Sequence, residues 1–188
     1  MLEKGTYGYI HRQKKRKITG IVLIFFLAVG IYLAGLFLNK MEQANIFTVF
    51  AILCVLPWAK QVVGLVVLFP YHSVSGERYE KMQKQVVCRK ETEKLYADLV
   101  ITSPDKVMNL DFLFLGTGYV VALVGKKGQD ISYIRQYLSH GVHQWGDFSV
   151  KVVESEKMFV AEANKPGKDP VDTEEIHRVD SYLRSLMV

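Results

Sequence analysis

The stretch "NLDFLFLGTGYVVALVGKK", Asn109 to Lys127, decides the fold. Leu110 to Leu115 and Tyr119 to Val124 are two strands joined by a Gly-Thr-Gly connection, a β-hairpin with one aspartate, Asp111, on its first strand. Both strands are nearly uninterrupted apolar runs, which predicts a sheet covered on both faces or a hairpin central to its fold. Gly125-Lys126-Lys127-Gly128 then forms a solvated turn.

On the N-terminal side, Ser75 caps a helix expected to run to about Glu93, with Tyr79, Met82 and Val86 as its apolar stripe. A strand, Leu95 to Thr102, follows and ends at Ser103-Pro104-Asp105. On the C-terminal side, Gln129-Asp130 opens a helix with Ile131, Ile134, Tyr137 and Leu138 on one face, which Gly141 is expected to close. Phe148 to Val153 is another strand, and Ser155 caps a short helix carrying Met158 and Phe159. The order is α-β-β-β-α-β. Residues 72–163 therefore predict a small mixed α/β domain, followed by a linker over 164–171 and an amphipathic C-terminal helix over 172–188. In that last helix Asp172 and Glu175 have capping-box spacing, and Ile176, Val179, Leu183 and Leu186 or Met187 form the stripe. Two uses of this stripe are open: packing back on the domain, or docking a partner or second copy in a groove.

The first 70 residues are a different material. Residues 18–38 form 21 consecutive residues without a charge, enough to cross a ~30 Å hydrocarbon core as a helix. A secretory signal has a shorter apolar region and a small-residue cleavage site, and neither is found here. Residues 46–69 are a second apolar block of 24, interrupted by Lys60 and carrying Pro57, which kinks the helix or starts a new turn. Lys60 costs roughly 2.5–3.5 kcal/mol on an insertion scale, which the surrounding Leu, Ile, Val and Phe offset. It marks either a pathway or partner contact, or a lysine that snorkels or faces the first helix.

Orientation comes from residues 1–17, where "HRQKKRK" places five Lys or Arg directly against the first span. Such clusters stay cytoplasmic, so two spans predict a multi-pass protein of the cell membrane with both termini in the cytoplasm. Without insertion of the second block the domain would lie outside. Cys54 lies in that block and Cys88 in the domain, so they make no disulfide framework.

Residues 1–70 hold eight Lys or Arg against two Glu, a net +6, and residues 71–188 hold sixteen against seventeen Asp or Glu, a net −1. The basic character is topogenic, with attraction to anionic lipid, and the domain has no nucleic-acid footprint.

The element order, "SGERYEKMQKQ" at Ser75 to Gln85 and the hairpin together resemble the restriction-endonuclease-like superfamily, and most of all its nuclease-related (NERD) domain. The resemblance covers about 80 residues. It implies a metal-dependent nuclease in which Glu77 and Asp111 hold Mg or Mn. It also requires a glutamate, one spacer and a lysine on the third core strand, where this chain has Leu123 and Gly125. Two carboxylates and a lysine are what hold the metal, activate water and meet the developing charge. Only Lys126 or Lys127 is placed to substitute for the lysine.

Other motifs are weaker. His140-Gly-Val-His143 has a metal spacing without companion ligands, the glycine runs match no phosphate loop, and Ser73 and Ser75 lack a nucleophile elbow. Tyr133 and Tyr137 are expected in the core. The expectation is a membrane-anchored, non-catalytic binding or scaffolding protein without cofactor. Its partners would be the lipid bilayer and either another protein or its own copies, not nucleic acid. The alternative is a nuclease acting near the membrane, and Lys60 and Pro57 are the residues of interest in the spans.

Overall fold

The computed structural model describes residues 4–39, 41, 45–125, 128–167 and 172–188. It divides into two units, His11–Pro70 and Met1–Ile10 with Tyr71–Val188.

The His11–Pro70 unit is helical. Helix α1 runs Tyr9–Leu38, starting ahead of the uncharged stretch because Arg, Gln and Lys are good helix formers. Helix α2, Ile46–Leu53, begins at Asn45, whose side chain accepts the Thr48 amide at 3.0 Å. Helix α3, Val55–Leu68, follows after a one-residue break at Cys54. Pro57 explains the break: it has no amide to donate to the Leu53 carbonyl four residues earlier. α1 and the α2–α3 segment are both long and apolar enough to cross a membrane. Their most apolar windows are each only 6% buried.

The glycines fix the antiparallel register of this hairpin. A Cβ on Gly20 would lie 3.7 Å from Gln61 Cδ, Gly35 lies beside Asn45 and Phe47, and Gly64 lies under the Lys17 amine. Lys60, one turn before Gly64, is therefore level with about Ile21. It sits near the basic end of the hairpin and not at mid-depth, as its place within residues 46–69 suggested.

The other unit is a mixed α/β domain. It contains α4 (Gly76–Gln85), β1 (Lys94–Thr102), β2 (Val107–Gly116), β3 (Tyr119–Val124), α5 (Ile131–His143), β4 (Ser149–Val153), α6 (Glu156–Ala163) and α7 (Thr173–Leu186). The sheet order is β1-β2-β3-β4, with the first two pairings antiparallel and β3–β4 parallel through α5. One face packs Leu99, Leu110, Leu113 and Ala122 against α5 and α7, and the other packs Phe112, Phe114, Val121 and Leu123 against α4 and α6. The apolar runs of the hairpin are thus accounted for: both strands are central and buried on both sides.

Three boundaries depart from expectation. α4 stops at Gln85 and not near Glu93. Val86 is extended, and the Asn164 side chain accepts the Val87 amide at 3.0 Å and donates to the Gln85 carbonyl at 2.8 Å. A tertiary bond pair replaces the next helical turn, at a β-branched Val-Val where helix propensity is low. α5 continues past Gly141, because a side chain there would collide with the Tyr182 ring of α7. The domain is also larger than residues 72–163: it takes in α7 and the N-terminal arm, residues 4–10.

The arm and the C-terminus both cover the outer edge of β1. The Ala97 amide donates to Gly5 O at 2.9 Å, the Val188 amide donates to Val100 O at 3.1 Å, and Met187 bridges Ile101. Lys4 Nζ joins the two chain ends by donating to Met187 O at 2.5 Å. An edge strand that would otherwise offer free backbone groups is closed by the chain's own ends.

Candidate functional site

A polar cluster of the domain grows from a defect shared by two strands. In β1 the residues facing α5 and α7 switch from Tyr96 to Leu99 and Ile101, and in β2 from Met108 and Leu110 to Leu113 and Leu115. Each strand has gained one residue relative to strict alternation. The extra residues are Asp98 and Asp111, which face each other across the β1–β2 pairing, where Ala97 meets Phe112 and Leu99 meets Leu110. Asp98 is in the left-handed region at φ 57, which aspartate tolerates better than most side chains. Asp111 is the bulge between Leu110 and Phe112 against β3. Both carboxylates turn to the α4 side, and the two apolar layers stay filled.

Asp98 is 1% exposed and holds the arm. Its Oδ2 accepts the Gly8 amide and its Oδ1 the Val74 amide, each at 2.7 Å. One carboxylate thus binds the segment preceding α1 and the segment following α3. Tyr7 stacks on Tyr79 of α4 with ring centroids 4.9 Å apart, fixing the same arm from the other side. Burial pushes the Asp98 carboxyl up, against the Val74 amide, Ser73 and the Gly8 amide, which pull it down; Asp111 adds to the rise.

Asp111 is engaged by Arg78 of α4. The guanidinium Nη1 donates to Asp111 Oδ2 and Nε to Glu156 Oε1, and the group lies 5.7 Å from the Phe112 ring centroid. Burial works to lower the Arg78 pKa, but the bonds to Glu156 and Asp111 outweigh it and hold the cation. One guanidinium bridging two carboxylates is a strong, geometrically specific arrangement. It occupies the position from which a cation would meet Asp111.

Leu123 is wholly buried in the apolar layer with Phe112 and Phe159. Gly125 donates its amide to Asn109 O at 3.1 Å, and the Asp111 and Asn109 side chains fill the space a Cβ at 125 would need. Glu77 is exposed on α4, and the residue of that helix that reaches Asp111 is its neighbour Arg78. Lys126 and Lys127 lie outside the described residues. His143 Nδ1 bonds Ser139 O at 2.7 Å, and no group of three or more metal-ligating side chains converges among the described residues.

The α7 stripe is turned inward. Ile176, Val179 and Leu183 are buried against the sheet together with Met187, and Leu186 is half-buried. Asp180, also buried, accepts Lys94 Nζ at 2.6 Å and the Tyr96 hydroxyl, which fastens α7 to β1. Docking a partner through this face would require it to leave the core. Lys60 is exposed on α3, and Pro57 marks the helix break.

Asp98, Arg78 and Glu156 join Asp111 in this cluster, yet no motif singles them out. The legible trace was the single acid in each of two apolar strands, "YADLV" and "NLDFL". No protein family, curated protein or solved structure matches the chain.

Proposed function

We propose that this is a membrane-anchored, non-catalytic binding or scaffolding protein. α1 and the α2–α3 segment span the cell membrane, and the arm and α/β domain lie together in the cytoplasm. The lipid bilayer is one partner, and a protein or a second copy of the chain is the other.

The observation that carries the non-catalytic reading is that the carboxylates of the domain's polar cluster are engaged in bonds within the fold. Arg78 bridges Asp111 and Glu156, Lys81 lies 3.9 Å from Glu156, Asp98 is committed to two backbone amides, and Leu123 and Gly125 bring no acid or amine to the site. Membrane insertion is supported by two apolar helices that the chain itself leaves uncovered. The orientation is supported by the five basic residues of His11 to Lys17. A common side for both flanks is supported by the folding of residues 4–10 into the same unit as 71–188. The nuclease-like resemblance rests on the sequence alone. A shared scaffold does not imply a shared activity.

The test is an endonuclease assay on the purified full-length chain with DNA and RNA, each with Mg²⁺ or Mn²⁺. No cleavage above that of an Asp111→Ala control is expected. Metal-dependent cleavage that Asp111→Ala abolishes would overturn the proposal in favour of the nuclease, with Asp111 and Glu77 as metal ligands and Lys126 or Lys127 as assisting base.

A further inference from the structure

The helical hairpin carries a charge arrangement that its own residues leave unneutralised. Lys17 of α1 lays its amine over Gly64 of α3, where the missing side chain makes room. Lys60 precedes Gly64 by four residues and so shares its helix face. It is close enough for its charge to act on Lys17. The described residues of His11–Pro70 include no Asp or Glu, and the one acid of that segment, Glu42, lies outside the described residues. Lys14, a turn away, already donates to Phe69 O at 3.0 Å. Two ammonium groups therefore lie near each other with no anion among the described residues of this unit.

Their depth is informative. The uncharged stretch of α1 begins at Ile18, and Lys60 is level with about Ile21, which is only ~4–5 Å further along at 1.5 Å per residue. Lysines at that depth reach the headgroup layer. Deeper along the same helix pair lies a cleft of about 440 Å³ lined by Ile24, Ala28, Tyr32, Ala51, Val55 and Trp58. Trp58 is at its basic end, and its indole Nε1 is buried with no acceptor among the described residues. A pair of amines above an apolar cleft matches the descending order of a phospholipid: phosphate, then acyl chain.

We propose that Lys17 and Lys60 bind the phosphate of an anionic phospholipid, whose chain enters the cleft. Lysine serves here as a point charge on phosphate. The inference rests on the membrane-spanning reading of the helices.

The test uses the full chain in non-ionic detergent, titrated with phosphatidylglycerol and, separately, phosphatidylcholine, with bound lipid counted by native mass spectrometry. Lys17→Gln with Lys60→Gln should lower phosphatidylglycerol binding roughly thirtyfold, from about 1 kcal/mol for each lysine that meets the anion. Lys15→Gln with Arg16→Gln removes the same charge from the same end but away from the seam and, with no anionic surface in a non-ionic detergent, should lower it much less. Equal losses in the two doubles would show diffuse attraction and overturn the site, as would no loss in either. Displacement of phosphatidylglycerol by inorganic phosphate would mean that the site takes free phosphate, which also overturns the lipid assignment. Alkaline carbonate extraction of membranes separates the two failures. A chain that resists extraction yet shows equal losses sinks only this inference, whereas a chain that is extracted sinks the membrane reading with it.

Discussion

Deleting residues 1–70 outright should leave a domain that does not fold stably, whereas replacing only residues 11–70 with a flexible Gly/Ser linker should leave one that melts cooperatively. The shorter deletion keeps what the longer one removes. The arm supplies Gly5 O to Ala97, the Gly8 amide to Asp98, the Lys4 amine to Met187 and the Tyr7 ring to Tyr79. It also contains Tyr9 and Ile10, both buried. Two or three net hydrogen bonds at ~1 kcal/mol each and an aromatic stack at ~0.5–1.5 kcal/mol amount to a large part of the ~5–15 kcal/mol that stabilises a typical domain. Loss of Gly5 also reopens the edge of β1 and invites aggregation. Thermal unfolding of the two proteins decides the matter. A 71–188 fragment within about 1 kcal/mol of the linker form would show the arm to be incidental, since that is the size of a single net hydrogen bond.

Asp98→Ala should be the most damaging single substitution. It leaves the half-buried Gly8 and the buried Val74 amides without their acceptor, at about 1–3 kcal/mol each, and puts alanine in a left-handed conformation at about 1–2 kcal/mol. A fall in Tm of roughly 10–20 °C is expected for the full chain or the linker form. Asp98→Gly relieves the backbone part alone and should recover about 1 kcal/mol of the loss.

Asp98→Asn reports on charge, and its sign is fixed by linkage. Burial raises the Asp98 carboxyl above its ordinary value of 3.8. A carboxyl raised in the folded state contributes stability that is fully present below the unfolded-state value and is lost as pH rises through the folded-state value. The margin of the native chain over Asp98→Asn should therefore narrow as pH is raised from about 4 towards neutrality. A margin that widens instead would mean that the amide bonds outweigh burial.

Much of this architecture was legible in residue order. β3 is Tyr119–Val124 as its apolar run indicated, the other strands agree to within a few residues, and Asp130 and Asp172 cap α5 and α7. These features depend on local chemistry: alternation, side-chain oxygens at helix starts and glycine at turns. The end of α4 depended on Asn164, far along the chain, and the passage of α5 through Gly141 depended on Tyr182. No periodicity encodes either contact.

The same limit hid the centre of the site. Glu77 and Asp111 were prominent because a family pattern named them, but the helix residue that meets Asp111 is Arg78. The paired defect at Asp98 and Asp111 emerges only when the two strands are set in register. The arm was hidden for a related reason. "KGTYGY" has no strand or helix pattern, and its role comes from the edge it covers.

The most direct test of a two-span protein with both flanks inside is labelling by a membrane-impermeant maleimide, in intact and then lysed cells. Cys88 is exposed and native, and is read in a Cys54→Ala background. Burial and the Glu93 carboxylate push its thiol pKa up, so mildly alkaline pH suits the reaction. Lys15→Cys, before the first span, and Met41→Cys, between the spans, are read with both native cysteines replaced. The account predicts that Met41→Cys is labelled in intact cells, and that Cys88 and Lys15→Cys are labelled only after lysis. Labelling of Cys88 in intact cells while Lys15→Cys stays protected would place the flanks on opposite sides and contradict it.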